Sequence, residues 1–321
     1  MQSALGDAAV VDLSAGWEEL AAVRSAGQQA GWLLQPDEFE IQSKIGMGSS
    51  GTVYQGVCRG AEVAIKKAHL RNARDAASFI QEVKVLSRLR SPHIVPFLGA
   101  CLEPPDHCML LTELQHGGTL RDWLYDSRKP QPLAKRLQVA IEIARGMQCI
   151  QESTPTTLHR DLKPTNILMG QDDHVKIADF SLARYMPAHS EPLTGETGTY
   201  FYMAPEVIRH EPYSGAADVY SFAVLLCELL TMVVPYSDKF LTPIQVAYSV
   251  ADQGVQLRPT LPNNCDPALL ALITMGWHDD PLKRPSFAVF AKQLDTIVHA
   301  LLTSKPPSRP GSALGKFFGL E

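Results

Sequence analysis

Three glycines, Gly46, Gly48 and Gly51, are followed by strict alternation rather than by a helix, and this restricts the fold more than any other feature of the 321-residue chain. In Ile45-Gly46-Met47-Gly48-Ser49-Ser50-Gly51-Thr52-Val53 the spacing is G-x-G-x-x-G, which dinucleotide-binding folds also use. That fingerprint needs its last glycine to open a helix and an acid on the next strand about 20 residues on. Here Val53, Gln55 and Val57 alternate up to a Cys58-Arg59-Gly60 turn, and another strand follows. A Walker loop fails too, because no Lys-Ser/Thr pair follows the glycines. A glycine-rich β-hairpin remains. Its Cβ-free positions let backbone N–H groups approach phosphate oxygens, although glycines serving a tight turn alone give the same local pattern.

The next strand adds chemistry. In Val63-Ala64-Ile65-Lys66 the period of two puts Val63 and Ile65 on one face and Ala64 and Lys66 on the other. Lys66 then shares a face with a residue small enough to lie against a flat base. From Ala73 to Leu89 the period becomes helical, with Phe79, Val83 and Leu86 on one side. Glu82, three residues after Phe79 and four before Leu86, falls on that apolar side. A carboxylate there is costly unless paired, and Lys66 is the natural partner.

Strands therefore come first, around Ile41, Thr52 to Val57, Glu62 to Lys66, Ile94 to Leu98 and Met109 to Thr112, and the remainder to Val298 is mostly helical. The order indicates an α+β architecture with a small β-rich lobe and a larger helical one. At roughly 150 residues per domain the length allows two such units. Residues 1 to about 30 read as a weakly ordered extension; the alternative is a short docking helix carrying Leu13, Trp17, Leu20 and Val23. The Lys305-Pro306-Pro307 tail reads as a disordered linker.

Hydrophobic residues are 45% and charged residues 20%, which excludes collagen-like and fully disordered chains. The net charge of -5 exerts no general pull toward nucleic acid or an anionic membrane, so any phosphate site must be local. Six cysteines without a C-x-x-C pair point to reduced, mostly buried thiols. The first residues lack the basic start of a secretory signal, and the apolar run from Phe222 to Val234 is interrupted by Glu228 and too short to span a bilayer. A cytoplasmic protein with a buried central helix is expected.

The segment Leu158-His159-Arg160-Asp161-Leu162-Lys163-Pro164-Thr165-Asn166 packs acid, bases and amide into one loop, and Val175-Lys176-Ile177-Ala178-Asp179-Phe180 ends a strand on a further acid. With the glycine loop, Val63-Ala64-Ile65-Lys66 and Ala204-Pro205-Glu206 in this order, residues 39–302 resemble a eukaryotic protein kinase. The resemblance implies a bilobal fold, with an N-lobe at 39–112, a hinge at 113–118, a C-lobe at 119–302, an extension at 1–38 and a tail at 303–321.

The resemblance also implies roles. ATP would lie under the loop formed by Ile45, Gly46, Gly48 and Gly51, with its adenine between Val53, Ala64 and Leu168 and hinge hydrogen bonds from the Glu113 to Gln115 backbone. Lys66, paired with Glu82, would hold the α- and β-phosphates, and Asn166 and Asp179 would ligate Mg²⁺. Asp161 would accept the proton of the protein hydroxyl, Lys163 would neutralise the γ-phosphate, and Thr199 would hydrogen-bond near both. Leu86, Phe97, His159 and Phe180 would stack as a spine, Asp218 would anchor the catalytic loop, and Arg284 would pair with Glu206.

Lys163, two residues after Asp161, favours serine or threonine as acceptor. Trp32-Leu33-Leu34, Gly198-Thr199-Tyr200-Phe201-Tyr202 and Arg284-Pro285-Ser286-Phe287 resemble the tyrosine-kinase-like group, which includes mixed-lineage, Raf-like and plant enzymes. One departure is Ser181, where the family usually has glycine after Asp-Phe; a Cβ there resists a peptide flip. The alternative is a pseudokinase scaffold that binds nucleotide without efficient transfer. Arg160 before Asp161 suggests that phosphorylation of Thr194 or Thr197, by an upstream kinase or by autophosphorylation, orders the intervening segment.

Overall fold

The computed structural model describes residues 14–104, 106–186, 199–263 and 265–303. The alternating runs form one antiparallel five-stranded sheet in which the first three strands lie side by side in chain order and the fifth inserts between the third and the fourth. Strand β1 (Phe39–Met47) turns at the glycines into β2 (Gly51–Cys58), and Gly48 N–H donates to Gly51 O at 2.8 Å to close the hairpin. Arg59 and Gly60 both have positive φ, 51° and 83°, the conformation whose twist lets a two-residue turn lead straight into β3 (Ala61–Ala68). Helix α2 (Ala73–Leu86) is capped by Asn72, whose side chain accepts from Asp75 N–H.

Strands β4 (Phe97–Glu103) and β5 (His107–Glu113) complete the sheet. The run Ile94 to Leu98 expected as a strand overlaps β4 only at its end. Pro96 has no N–H for a ladder, and the residues before it pair elsewhere: Ile94 bridges Ile177, and Val95 N–H donates to Ile177 O at 3.0 Å. This link ties the small lobe to the strand that leads into Asp179.

Residues 14–30 are not a loose extension. Helix α1 (Ser14–Ala30) buries Leu20 and Val23 in the main core, pairs Glu19 with Lys84 of α2 at 2.9 Å, and sends Arg24 to Leu102 O at 2.6 Å. The chain then lines the outer edge of β4, where Leu34 N–H donates to Ala100 O and Ala100 N–H to Trp32 O, covering part of an otherwise open edge. The helical spacing of its apolar residues is weak alone and gains its stability from α2 and β4. Residues 1–13 and 304–321 lie outside the described residues.

The larger lobe contains α3 (Leu120–Tyr125), α4 (Leu133–Gln151), the short strands β6 (Thr157–Leu158), β7 (Ile167–Met169), β8 (Val175–Ile177) and β9 (Arg184–Tyr185), then α5 (Pro205–Ile208), α6 (Ala216–Thr231), α7 (Pro243–Ala251), α8 (Pro267–Gly276) and α9 (Phe287–Thr303). Helix α6 is the interrupted apolar run. It is buried from Ala217 to Leu229, as a helix apolar all round must be, and Phe222 packs on Phe287 and Phe290 with ring centroids 5.6 and 5.0 Å away. Among the described residues no helix is long and apolar enough to cross a membrane. All six cysteines carry free thiols, four of them buried.

Candidate active site

Strand β3 and helix α2 build the first half of the site. Lys66 Nζ donates to Glu82 Oε1 and Oε2 at 2.8 and 2.9 Å and to Asp179 Oδ1 at 3.0 Å. Glu82 is only 2% exposed, so the pairing inferred from its place on the apolar face is met. Burial alone would lower the Lys66 pKa, but the two carboxylates overcome it and raise the value, keeping the ammonium charged. At Asp179 burial works upward and Lys66 downward, and the net effect lowers its pKa to about 2. Burial pushes Glu82 the other way, against the pull of Lys66; the direct contact at 2.8 Å favours the ionised pair.

The second half is the loop between β6 and β7. Asp218, 1% exposed at the start of α6, accepts the backbone N–H groups of His159 and Arg160, both at 2.8 Å. These bonds hold Arg160 at φ 67°, in the left-handed region that a non-glycine residue adopts only when its surroundings over-determine it. Asp161 is thereby presented with both oxygens engaged. Its Oδ2 accepts from Lys163 Nζ at 2.7 Å and Asn166 Nδ2 at 2.9 Å, and its Oδ1 accepts from Thr199 Oγ1 at 3.1 Å. Lys163 Nζ also donates to Thr199 Oγ1 at 2.7 Å. Asp179, at φ 56°, follows β8, and Phe180 is fully buried with its ring edge-on to His159 at 5.0 Å.

The family profile described as protein tyrosine and serine/threonine kinase matches residues 39–294. The chain belongs to the protein kinase family. Its group is the tyrosine-kinase-like one. Serine/threonine-protein kinase STY17 of Arabidopsis thaliana is 38% identical over 269 residues, covering 83% of this chain and 46% of the relative. Serine/threonine/tyrosine-protein kinase HT1 of the same plant is 35% identical over 272 residues, covering 82% of this chain and 67% of HT1. Dual specificity protein kinase shkC of Dictyostelium discoideum is 35% identical over 274 residues, covering 83% and 52%. This kinase chain thus spans about half the length of STY17 and shkC.

The kinase cleft lies between the two halves. Val53 faces Lys66 across the β2–β3 ladder, Ala64 faces Thr112 across β3–β5, and Leu168 of β7 bridges Thr119 just beyond the hinge. Glu113 ends β5, and Gln115 follows in the connection to α3. Above the cleft the three glycines differ. A Cβ at Gly51 would lie 2.6 Å from Lys67 O, so that glycine is required by the fold. At Gly48 a Cβ would meet nothing within 4 Å, and at Gly46 only Val53 at 3.8 Å, so both lie in open space. Ile45 is exposed at the rim.

Behind the kinase site, Arg284 and Glu206 form a buried two-fold pair at 2.6 and 2.8 Å, as expected. The sequence reading did not assign a role to Glu228. It accepts from Tyr125 OH and Tyr202 OH, both at 2.6 Å, and Ser221 Oγ donates to Tyr202 O, which fixes the segment after Thr199 on α6. The charge interrupting the apolar run was the available signal. Arg184 was also missed. Burial and the charge of Arg160 both lower its pKa. Ser190, Thr194, Thr197 and Gly198 lie outside the described residues.

Proposed function

We propose that this chain is a serine/threonine protein kinase that transfers the γ-phosphoryl group of ATP to hydroxyls of protein substrates. The observation that carries the reading is the convergence of Lys163, Asn166 and Thr199 on the carboxylate of Asp161, with Lys66 and Glu82 paired on the other side of the cleft. Phosphoryl transfer needs positioned charge and an acceptor for one proton, and these residues supply both.

The residues fit the groups the family uses. Asn166 and Asp179 offer hard oxygen donors, which suit Mg²⁺; this ion commonly takes one or two protein oxygens and completes its shell with phosphate and water. Asn166 Nδ2 donates to Asp161 O at 2.9 Å, which turns the amide so that Oδ1 is the atom left for a cation. The open space at Gly46 and Gly48 leaves backbone there approachable by phosphate. Bound Mg²⁺ would supply neutralisation of the phosphate charge.

In this reading Lys66 holds the α- and β-phosphates and Glu82 holds Lys66. Asp161 accepts the hydroxyl proton as the oxygen attacks, and Lys163 meets the charge that collects on the γ-phosphoryl oxygens. Thr199, bonded to both, keeps them in register. Val53, Ala64 and Leu168 enclose the adenine, and the backbone of Glu113 to Gln115 reads its edge.

Ser181 does not favour the scaffold alternative. Asp161, Asn166 and Asp179 are all retained, and Ser181 sits buried with its carbonyl accepting from Ser78 Oγ on α2. Phosphorylation of Thr194 or Thr197, by an upstream kinase or by autophosphorylation, is proposed to engage Arg160; mass spectrometry with the double alanine variant tests it, and undiminished activity would refute it. The free thiols suit a reducing compartment such as the cytoplasm. A peptide-array phosphorylation assay tests the main reading: labelling at serine and threonine is expected, and labelling at tyrosine alone would overturn the acceptor assignment.

A further inference from the structure

The tip of the glycine loop is gripped from behind by the link between β3 and α2. His69 N–H donates to Ser50 O at 3.0 Å, and His69 Nε2 lies 2.9 Å from Oγ1 of Thr52, which is itself 8% exposed. Arg71 Nη2 donates to Ser49 O at 3.2 Å. Arg71 is held in turn by Asp75 on the first turn of α2, which accepts from its Nε at 2.9 Å and its backbone N–H at 3.1 Å. Asp75 N–H is capped by Asn72. Two successive loop carbonyls are therefore pinned to an element continuous with α2, the helix that carries Glu82.

We propose that Arg71 is a positioning residue, braced by the His69 side chain on Thr52: with the backbone bond from His69 N–H to Ser50 O, its grip on Ser49 O fixes the orientation of the peptide units at the tip of the glycine loop, so that the loop N–H groups face the ATP phosphates, and couples that orientation to α2. The reason is peptide planarity. In a trans peptide the N–H points opposite to the C=O of the same unit. Holding Ser49 O and Ser50 O toward His69 and Arg71 turns the N–H groups of Ser50 and Gly51 to the other side. Gly51 is already paired with Ala68 in the β2–β3 ladder, so the grip acts chiefly on the Ser49–Ser50 unit at the turn, beside Gly48 and beyond the paired residues Met47 and Thr52. Asp75 touches no loop atom and acts only by aiming Arg71.

This inference rests on the ATP-dependent reading above, and the test separates the two. In the full chain, the KM for ATP and the Kd for Mg·ATP are measured with thermal melting for Arg71→Ala, Asp75→Ala, the double variant, His69→Ala and His69→Gln. Arg71→Ala and Asp75→Ala are each expected to raise KM and Kd about three- to tenfold, the effect of losing one or two hydrogen bonds, with kcat within about twofold and the melting temperature unchanged, whereas His69→Ala, which keeps the backbone bond to Ser50 O and loses only the contact with Thr52, should raise them less. The double variant should be no worse than either single one, since both break the same grip. His69→Gln, which keeps a donor for Thr52, should stay nearer the wild type than His69→Ala.

Asp75→Ala is the discriminating arm. If Arg71 acted only through its charge, removing the nearby acid would tighten binding of an anion; the grip predicts weakening. Unchanged KM and Kd in Arg71→Ala, tighter binding in Asp75→Ala, or additive effects in the double variant would overturn the proposal. A wild type that binds Mg·ATP but transfers nothing would instead defeat the kinase reading, and Kd would still test the grip.

Discussion

Lys163 Nζ donates to Thr199 Oγ1 at 2.7 Å, joining the catalytic loop to a residue 36 positions later in the chain. The same hydroxyl donates to Asp161 Oδ1 at 3.1 Å, so one side chain bridges Asp161, the proposed proton acceptor, and Lys163, the cation proposed for the phosphate. Neither group alone defines the site; their spacing does. Removing the hydroxyl leaves Lys163 and Asn166 on Asp161 Oδ2 but takes away the donor to Oδ1, so the carboxylate and the ammonium lose the contact that fixes their mutual orientation. Thr199→Val should therefore lower kcat by about 10- to 100-fold with little change in KM for ATP, and Thr199→Ser should recover most of it. Steady-state kinetics on the three proteins decides, and a valine variant with full kcat would contradict the bridging role.

Glu82 is the buried partner that keeps Lys66 over the cleft. Glu82→Gln retains the shape and removes the charge, leaving Asp179 as the only carboxylate at Lys66 in this cluster. A kcat loss of about tenfold or more is expected, with a stability cost of about 1 to 3 kcal/mol for the weakened buried contact. Chemical denaturation read beside initial rates gives both numbers.

His174 links pH to the strand pair below the site. A hydrogen bond from His174 Nδ1 to Glu142 Oε1 at 2.8 Å and the charge of that carboxylate raise the His174 pKa above 6.5, with Asp172 adding to the rise and burial and Lys176 opposing it. His93, on the other side of Glu142, has its pKa lowered by burial. A histidine raised in the folded state adds stability that is full below 6.5 and is lost as pH climbs through the higher folded value. The wild type should lose more melting temperature between pH 6 and pH 8.5 than His174→Gln does. Equal losses would show that the pair is not coupled to folding.

Gly27 faces the Trp32 ring so closely that a Cβ there would lie 2.6 Å from a ring carbon. Trp32 in turn meets Phe97 edge-on at 5.4 Å. Gly27→Val should force α1 off α2 and β4 at a cost of about 1 to 3 kcal/mol, the usual penalty of overpacking. Hydrogen exchange should then rise across residues 19–34 and at the edge of β4, and an exchange pattern like that of the wild type would count against this docking.

Some of this was legible in the chain and some was not, for identifiable reasons. The hairpin at Gly46 to Gly51 and the Lys66–Glu82 pair could be read because each follows from local periodicity and the cost of an unpaired buried charge. The central helix could be read for the same kind of reason. Thr199 could not be placed by spacing; only the family resemblance put it beside Asp161, since the contact closes across 38 residues. The start of β4 was misread because Pro96 reassigns Ile94 and Val95 to β8, a choice settled by a strand far along the chain. Helix α1 was underestimated because its stability resides in α2 and β4.

The central claim is that Asp161 accepts the substrate proton in a working phosphotransferase. The most direct measurement is Mg²⁺-dependent transfer of labelled γ-phosphate to a generic serine/threonine protein substrate by the wild type and by Asp161→Asn, with Mg·ATP affinity and melting temperature measured on both. Asparagine preserves the size and keeps an acceptor for Thr199 but removes the charge and the acceptor that Lys163 and Asn166 share, so the predicted result is transfer by the wild type and a loss of at least about 100-fold in the variant at similar ATP affinity, with the fold retained. A well-folded wild type that binds Mg·ATP without transfer, or an Asp161→Asn variant as fast as the wild type, would contradict the account.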